Sequence, residues 1–284
     1  MVPVAEKLGG RVLESRGTLL NYADIPMDAG LHDVTVEELL EVTGGHVTHC
    51  GPFNAVCEEA EIFQMWTDDF VSHLGKYLMD RAAKFNGETV VLDVGAGDGL
   101  LVRFLDEMLE REARRVSRTP GKRRSQKPPT LVAADDGSWG IFAKAQVENL
   151  NMTDSILKYK TGEGDKKRQL IVLCSWMPMG EDWTAFFRQH GIDEYILIGE
   201  ADDGTCGNNW ETWGNPDFLP FEEDHEINSE GDPVPYAAKD LVPPYKQDGY
   251  ERWDMEALSQ FQFSRFDCSA SRSSKTVSFR KKRR

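Results

Sequence analysis

Residues 89–99 read Thr-Val-Val-Leu-Asp-Val-Gly-Ala-Gly-Asp-Gly, and they constrain the fold more than any other stretch of the chain. Thr89 to Val94 is a short, nearly continuous apolar run with β-branched residues, which suits a strand buried on both faces. Gly95, Gly97 and Gly99 then crowd a turn, and the apolar-spaced run Leu100 to Leu109 reads as a helix. Strand, glycine turn and helix in that order form a ligand cradle. Glycines let the backbone come close, and the first turn of the helix offers unpaired N–H groups.

Apolar runs recur downstream at intervals that suit further strands and helices. Leu131 to Ala134, Leu170 to Cys174 and Tyr195 to Ile198 read as strands, and Gln146 to Leu150 as a short one. Thr153 to Tyr159 and Asp182 to His190 read as helices between them. Such alternation implies an α/β fold with a parallel sheet covered on both faces. Asp254 to Phe261 reads as a helix. Residues 263–268 and 276–279 flank a Ser-rich turn and are expected to pair as a terminal hairpin.

Ahead of the first strand, residues 56–84 read as helix. Ile62, Met65, Trp66, Phe70, Leu74 and Leu78 fall at helical spacing, with Thr67 and Asp68 as a place where it divides in two. Leu31 to Val42 suits a short helix ended by Gly44 and Gly45. Residues 1–85 are therefore expected to be a helical N-terminal extension or lid, and residues 86–284 the main domain. Residues 111–129 are expected to be a flexible basic insert, broken by Pro120, Gly121, Pro128 and Pro129. Residues 201–250 are expected to be a long acidic loop rich in Gly and Pro.

Charge bounds the partners. The chain carries 33 Lys/Arg against 48 Asp/Glu, a net charge of −15. Eight of the basic residues fall in 111–128 and five in the run Arg280 to Arg284, so the body is more acidic still. Such a surface repels a polyanion. The two basic runs read as a solvated loop and tail, and a nuclear-import or nucleic-acid role for them stays open. No stretch approaches the roughly 20 apolar residues of a membrane span. The first 17 residues lack the apolar core of a signal peptide, so a cytoplasmic or nuclear setting is expected. The five cysteines form no CxxC pair. His46, His49, Cys50 and Cys57 match no standard zinc spacing, and no metal is expected.

The glycine spacing separates two cofactor classes. Dinucleotide sites read G-x-G-x-x-G. Here it is G-x-G-x-G, with Asp93 two residues ahead of the first glycine. That pattern resembles motif I of class I S-adenosylmethionine-dependent methyltransferases, and the likeness extends over about residues 88–280. It implies a Rossmann-like, seven-stranded, mostly parallel sheet that closes with an antiparallel hairpin. It also implies S-adenosyl-L-methionine as cofactor. Asp93, Gly95, Ala96, Gly97 and Gly99 would cradle the methionine portion. Asp135 or Asp136, at the end of the second strand, would hold the ribose hydroxyls, and Trp139 and Ile141 would pack on the adenine. Asn151 stands where many members have an acid against the adenine amine.

The transferred methyl would meet its acceptor at the end of the fourth strand, where Cys174 and Ser175 precede Trp176-Met-Pro-Met-Gly180. No Asn/Asp-Pro-Pro-Tyr/Phe box stands there, which removes the usual signature of transfer to a planar amine or amide. Candidate catalytic residues are Ser175, Trp176, Asp182 and Glu200, with Asp202 and Asp203 nearby. Trp210, Glu211 and Trp213 suit either substrate contact from the long loop or a local core beneath it. The expected acceptor is a small molecule or a protein side chain, cationic if the acidic body sets the preference. An RNA methyltransferase that uses the basic insert, and a non-catalytic S-adenosylmethionine-binding scaffold, are the alternatives.

Overall fold

The computed structural model describes residues 30, 35–37, 39, 57–58, 61–117, 127–161, 167–202, 204–218, 241–267 and 272–282. Its frame is a mixed seven-stranded sheet. In chain order the strands are β2 (Glu88–Val94), β3 (Thr130–Asp135), β4 (Glu148–Asn149), β5 (Arg168–Ser175), β6 (Glu194–Glu200), β7 (Tyr250–Asp254) and β9 (Ser274–Lys281). A separate two-stranded antiparallel ribbon joins β1 (Gln64–Met65) to β8 (Phe263–Ser264). The sheet order is β4-β3-β2-β5-β6-β9-β7. All pairs from β4 to β6 are parallel, and β9 alone is reversed, antiparallel to both β6 and β7.

Alternation along the strands builds a core on each face. Val90, Leu92, Val94, Leu170, Val172 and Leu197 point to one side, where they meet Ile156 of α3 (Met152–Lys160) and Phe187 of α4 (Thr184–Gln189). Val91, Ile171, Leu173, Ile196 and Ile198 point to the other. There they meet Phe70, Leu74 and Leu78 of α1 (Asp68–Ala83) and Leu101, Phe104 and Leu105 of α2 (Leu100–Ser117). Gly75 lets α1 and α2 close up, because a β-carbon there would collide with Met108. Beside this core, Glu194 is fully buried and takes hydrogen bonds from Tyr77, Ser278 and Arg81, the last at 2.5 Å.

Five expectations change. Residues 62–66 are not helical: Gln64 and Met65 pair with Ser264 and Phe263, and the helix starts only at Asp68. Thr67 is the cap, with its hydroxyl accepting from Phe70 N at 3.3 Å and donating to Phe261 O at 3.1 Å. Thr67→Ala should lower stability by about 1 kcal/mol, read as an earlier urea midpoint with an unchanged slope.

The other four changes lie downstream. Helix α2 runs on through Ser117, so residues 111–117 are helical rather than flexible; no breaker occurs before Pro120. Residues 118–126 fall outside the described residues. The strand beside β9 is β7, not residues 263–268, whose Phe263 and Ser264 serve the ribbon instead. The basic tail is partly sheet, since Arg280 and Lys281 lie in β9 and Arg280 reaches Glu194 at 3.4 Å.

The region 201–250 is also more structured than a loop. Trp213 is fully buried and donates from Nε1 to Cys206 O at 2.6 Å, and Trp210 is buried beside it. Both are local core. Residues 219–240 lie outside the described residues, as do Leu31 to Val34, His46, His49 and Cys50. Val36, Glu37 and Leu39 are helical, as expected of that stretch. No helix among the described residues is long and apolar enough to cross a membrane.

Candidate functional site

A cleft of about 1210 Å³, counting space open at its mouth, lies at the carboxyl ends of β2, β3 and β5. Open α/β sheets place ligands at this edge, because the connections leaving neighbouring strands diverge there. Its walls come from the glycine turn, the loop after β3, the junction of β4 and α3 at Leu150 to Met152, the end of β5, Trp183 ahead of α4, and the segment 61–66 that carries β1. Gly30 adds to the wall.

The glycine turn is held by its own backbone. Gly95 and Gly97 have φ values of 64° and 54°, in the left-handed region that favours glycine. Ala96 N donates to Ala134 O at 3.1 Å, and Leu100 N donates to Asp98 Oδ1 at 3.1 Å, which starts α2. Lys144 N and Ala145 N both donate to Asp98 O, at 2.9 and 3.1 Å. Those two bonds clamp the loop after β3 onto the turn and bring Ile141 within 3.5 Å of where a Gly97 β-carbon would stand. Trp183 packs in the same way over Gly95, at 3.0 Å.

Asp93 is the most unusual group in the cleft. It is 2 % exposed, and its Oδ1 has no hydrogen-bond partner. Burial, then the charges of Asp98 and Asp135, push its carboxyl up to about 8. Asp135 closes β3 and is oriented from two sides. Gly97 N donates to its Oδ2 at 2.9 Å and Gly137 N to its Oδ1 at 2.7 Å. Each oxygen keeps a lone pair for a ligand hydroxyl. Asp136 is exposed, accepts from Ser138 N at 2.9 Å, and is held below its ordinary pKa by that serine.

Of the residues singled out from sequence, Asp93, Gly95, Ala96, Gly97, Asp135, Asp136, Trp139, Asn151, Ser175 and Trp176 all line this one cleft, and Ile141 joins them. Trp139 is 63 % exposed at the rim. Asn151 caps α3, with Oδ1 accepting from Asp154 N at 2.8 Å and Nδ2 donating to Asp154 Oδ2 at 2.9 Å. Trp176 has a φ of 59°, a strained value for a bulky residue. Its ring lies 5.8 Å from Phe63 and 5.3 Å from Phe266.

The remaining candidates stand outside the lining. Gly99 faces Val147, whose Cγ2 lies 2.5 Å from the β-carbon position, so it serves packing. Cys174 is buried in the sheet, and burial raises its thiol pKa. Asp182 accepts from Thr184 N at 3.1 Å and Thr212 Oγ1 at 3.1 Å, and pairs with Arg188. Glu200 is 2 % exposed and holds Thr205 and Ser273, through bonds of 2.6 and 2.7 Å. Asp202 pairs with Arg252 and Lys275. Glu211 is half-buried in the packed segment, and Asp203 lies outside the described residues. All of these acids except Glu211 and Asp203 thus have structural partners on other elements.

Sequence reasoning passed over Phe63, Gln64, Met65, Trp66, Asp98 and Trp183, which also line the cleft. The helical spacing of 62–78 hid the first four. The aromatic density at 63–66 and the Thr67-Asp68 cap were the signals that separate them from the helix.

The charges in the lining all have one sign. Its ionisable side chains are Glu61, Asp93, Asp98, Asp135 and Asp136, with no Lys, Arg or His among the described lining residues. No protein-family model matches the chain, and no curated protein matches it. Among the described residues no group of three His, Cys, Asp or Glu is placed to hold a metal ion.

Proposed function

We propose that the protein is a class I S-adenosylmethionine-dependent methyltransferase whose donor lies along Asp93 to Asp98 and Asp135. The observation that carries this reading is a lining of five acidic side chains, of which Asp93 is mostly protonated below about pH 8 and Asp98 pairs with Lys144 at 3.6 Å, with no basic side chain among the described lining residues. S-adenosylmethionine brings a sulfonium and an ammonium against a single carboxylate, so its net charge is positive. A dinucleotide would instead place a pyrophosphate against like charge, which is strongly unfavourable where the cleft excludes water. The same field lends no support to an RNA acceptor, whose phosphates it would repel. The single reversed strand at one side of an otherwise parallel sheet is in keeping with this class.

The residues present fit that donor. Asp93 offers a buried, unpartnered oxygen to the ammonium. Asp135, fixed by two backbone N–H groups, accepts from the ribose hydroxyls. Trp139, Ile141 and Leu150 supply apolar surface for the adenine. When bound, the donor supplies an already activated methyl group. The protein's share of the work is alignment and exclusion of water.

Trp139→Ala should weaken S-adenosylmethionine binding about tenfold, the scale of one aromatic–base stack. Its melting temperature should stay unchanged, because the ring is 63 % exposed. Incubation of the protein with methyl-labelled S-adenosylmethionine and cell extract tests the activity. Label entering a discrete species only when the protein is present supports transfer. Cofactor binding with no labelled species in any extract points instead to the scaffold.

A further inference from the structure

We infer, on the strength of the methyltransferase reading, that the acceptor is an amine on an apolar body, drawn in as an ammonium and methylated as its free base. The acceptor end of the cleft lies where β5 ends and the segment 61–66 crosses over. Its walls include the side chains of Phe63, Trp66, Trp176, Trp183 and Pro178. Aromatic faces attract cations and accommodate apolar bodies. Glu61 stands at the start of the crossing segment, and the rest of the ionisable lining is carboxylate. Arg265 already lies 4.1 Å from the Phe63 ring centroid, behind the lining, so the faces left for a ligand look onto acidic side chains, where a carboxylate or phosphate acceptor would meet like charge.

The acids beyond β5 and β6 supply no base, so a hydroxyl acceptor would have to use an acid of the lining itself, such as Glu61. A hydroxyl acceptor needs a base to become nucleophilic. Asp182, Glu200 and Asp202, the acids nearest the ends of those strands, are bonded to Thr184, Thr205 and Arg252 and lie outside the cleft lining. No histidine lines the cleft among the described residues. An amine needs no base at the moment of attack. The recruited ammonium first gives up its proton to water, and the freed nitrogen lone pair then forms the new N–C bond while the C–S bond of the donor breaks, with that electron pair staying on sulfur. The methylated ammonium then releases its proton to water. Charge thus recruits the substrate, and the small free-base fraction reacts.

Titration of the full chain, saturated with S-adenosylhomocysteine, with phenyltrimethylammonium and with 3-phenylpropionate tests this, read by tryptophan fluorescence and calorimetry. The two probes share a ring and differ in charge. The cation is expected to bind at least about tenfold more tightly, and Phe63→Leu to weaken it several-fold. Equal or tighter binding of the carboxylate would overturn the inference. So would saturation by S-adenosylhomocysteine with neither probe bound. Failure of S-adenosylhomocysteine itself to bind would strike the underlying reading instead, and this inference with it.

Discussion

Gly97→Asp should weaken S-adenosylmethionine binding by roughly 100-fold or more, about 2.7 kcal/mol, while the protein stays folded. Gly97 has a φ of 54°, and among residues with a side chain Asp tolerates that region better than most. The backbone can therefore keep its course. The new side chain projects into the cleft, because its β-carbon would lie in ordinary contact with the lining residue Ile141, 3.5 Å away. It fills the space a ligand needs beside the turn. Calorimetry gives the affinity, and a melting temperature within a few degrees of wild type shows that the fold survives. Gly95→Arg should do the same at higher structural cost, because its β-carbon would also press on Trp183 at 3.0 Å. Affinity within threefold of wild type in both variants would remove the cofactor from the glycine turn.

The second large effect is on pH. In the empty protein burial, followed by Asp98 and Asp135, raises the Asp93 carboxyl from 3.8 to about 8. Below that value it is mostly protonated. A ligand ammonium beside it favours the ionised form, so binding releases a proton. Affinity should climb up to about tenfold per pH unit between pH 6 and 8, then level off. Asp93→Asn should flatten this rise and cost at least about tenfold in affinity at pH 8.

Stability responds in the opposite sense. A folded value above the unfolded one favours the folded state at low pH. That contribution is complete below about 4 and is lost as pH rises through about 8. The empty Asn variant should therefore gain on wild type as pH increases over this window, as thermal melts at pH 4, 6 and 8 would reveal. Parallel pH profiles for wild type and variant would contradict the role given to Asp93.

The sequence is most legible where a local rule decides the structure. Val90 to Val94 is buried on both faces, so it carries no alternation and reads as a central parallel strand. The glycines after it mark a turn, since Gly95, Gly97 and Gly99 all take positive φ values. Asp93 and the pair Asp135-Asp136 follow from their places at strand ends, while the choice between the two needs the backbone N–H groups of Gly97 and Gly137 that hold Asp135. The crossing segment is hidden by a coincidence of spacing: Ile62, Met65 and Trp66 continue the helical rhythm of Phe70 and Leu74, yet Gln64 and Met65 pair with residues some 199 positions away in β8. Nothing local announces such a partner. The same holds for Asp182 and Glu200, whose bonds to Thr212 and Ser273 exist only once distant elements meet. Their position at the carboxyl edge suggests chemistry, while their surroundings give them structural work.

The central claim is that this acid-lined cleft takes S-adenosylmethionine, and isothermal calorimetry on the purified full chain tests it most directly. One-to-one binding of S-adenosylmethionine, shared by S-adenosylhomocysteine and absent for NAD, is the predicted result. Tight binding of NAD by the folded protein, with no heat from S-adenosylmethionine, would contradict it.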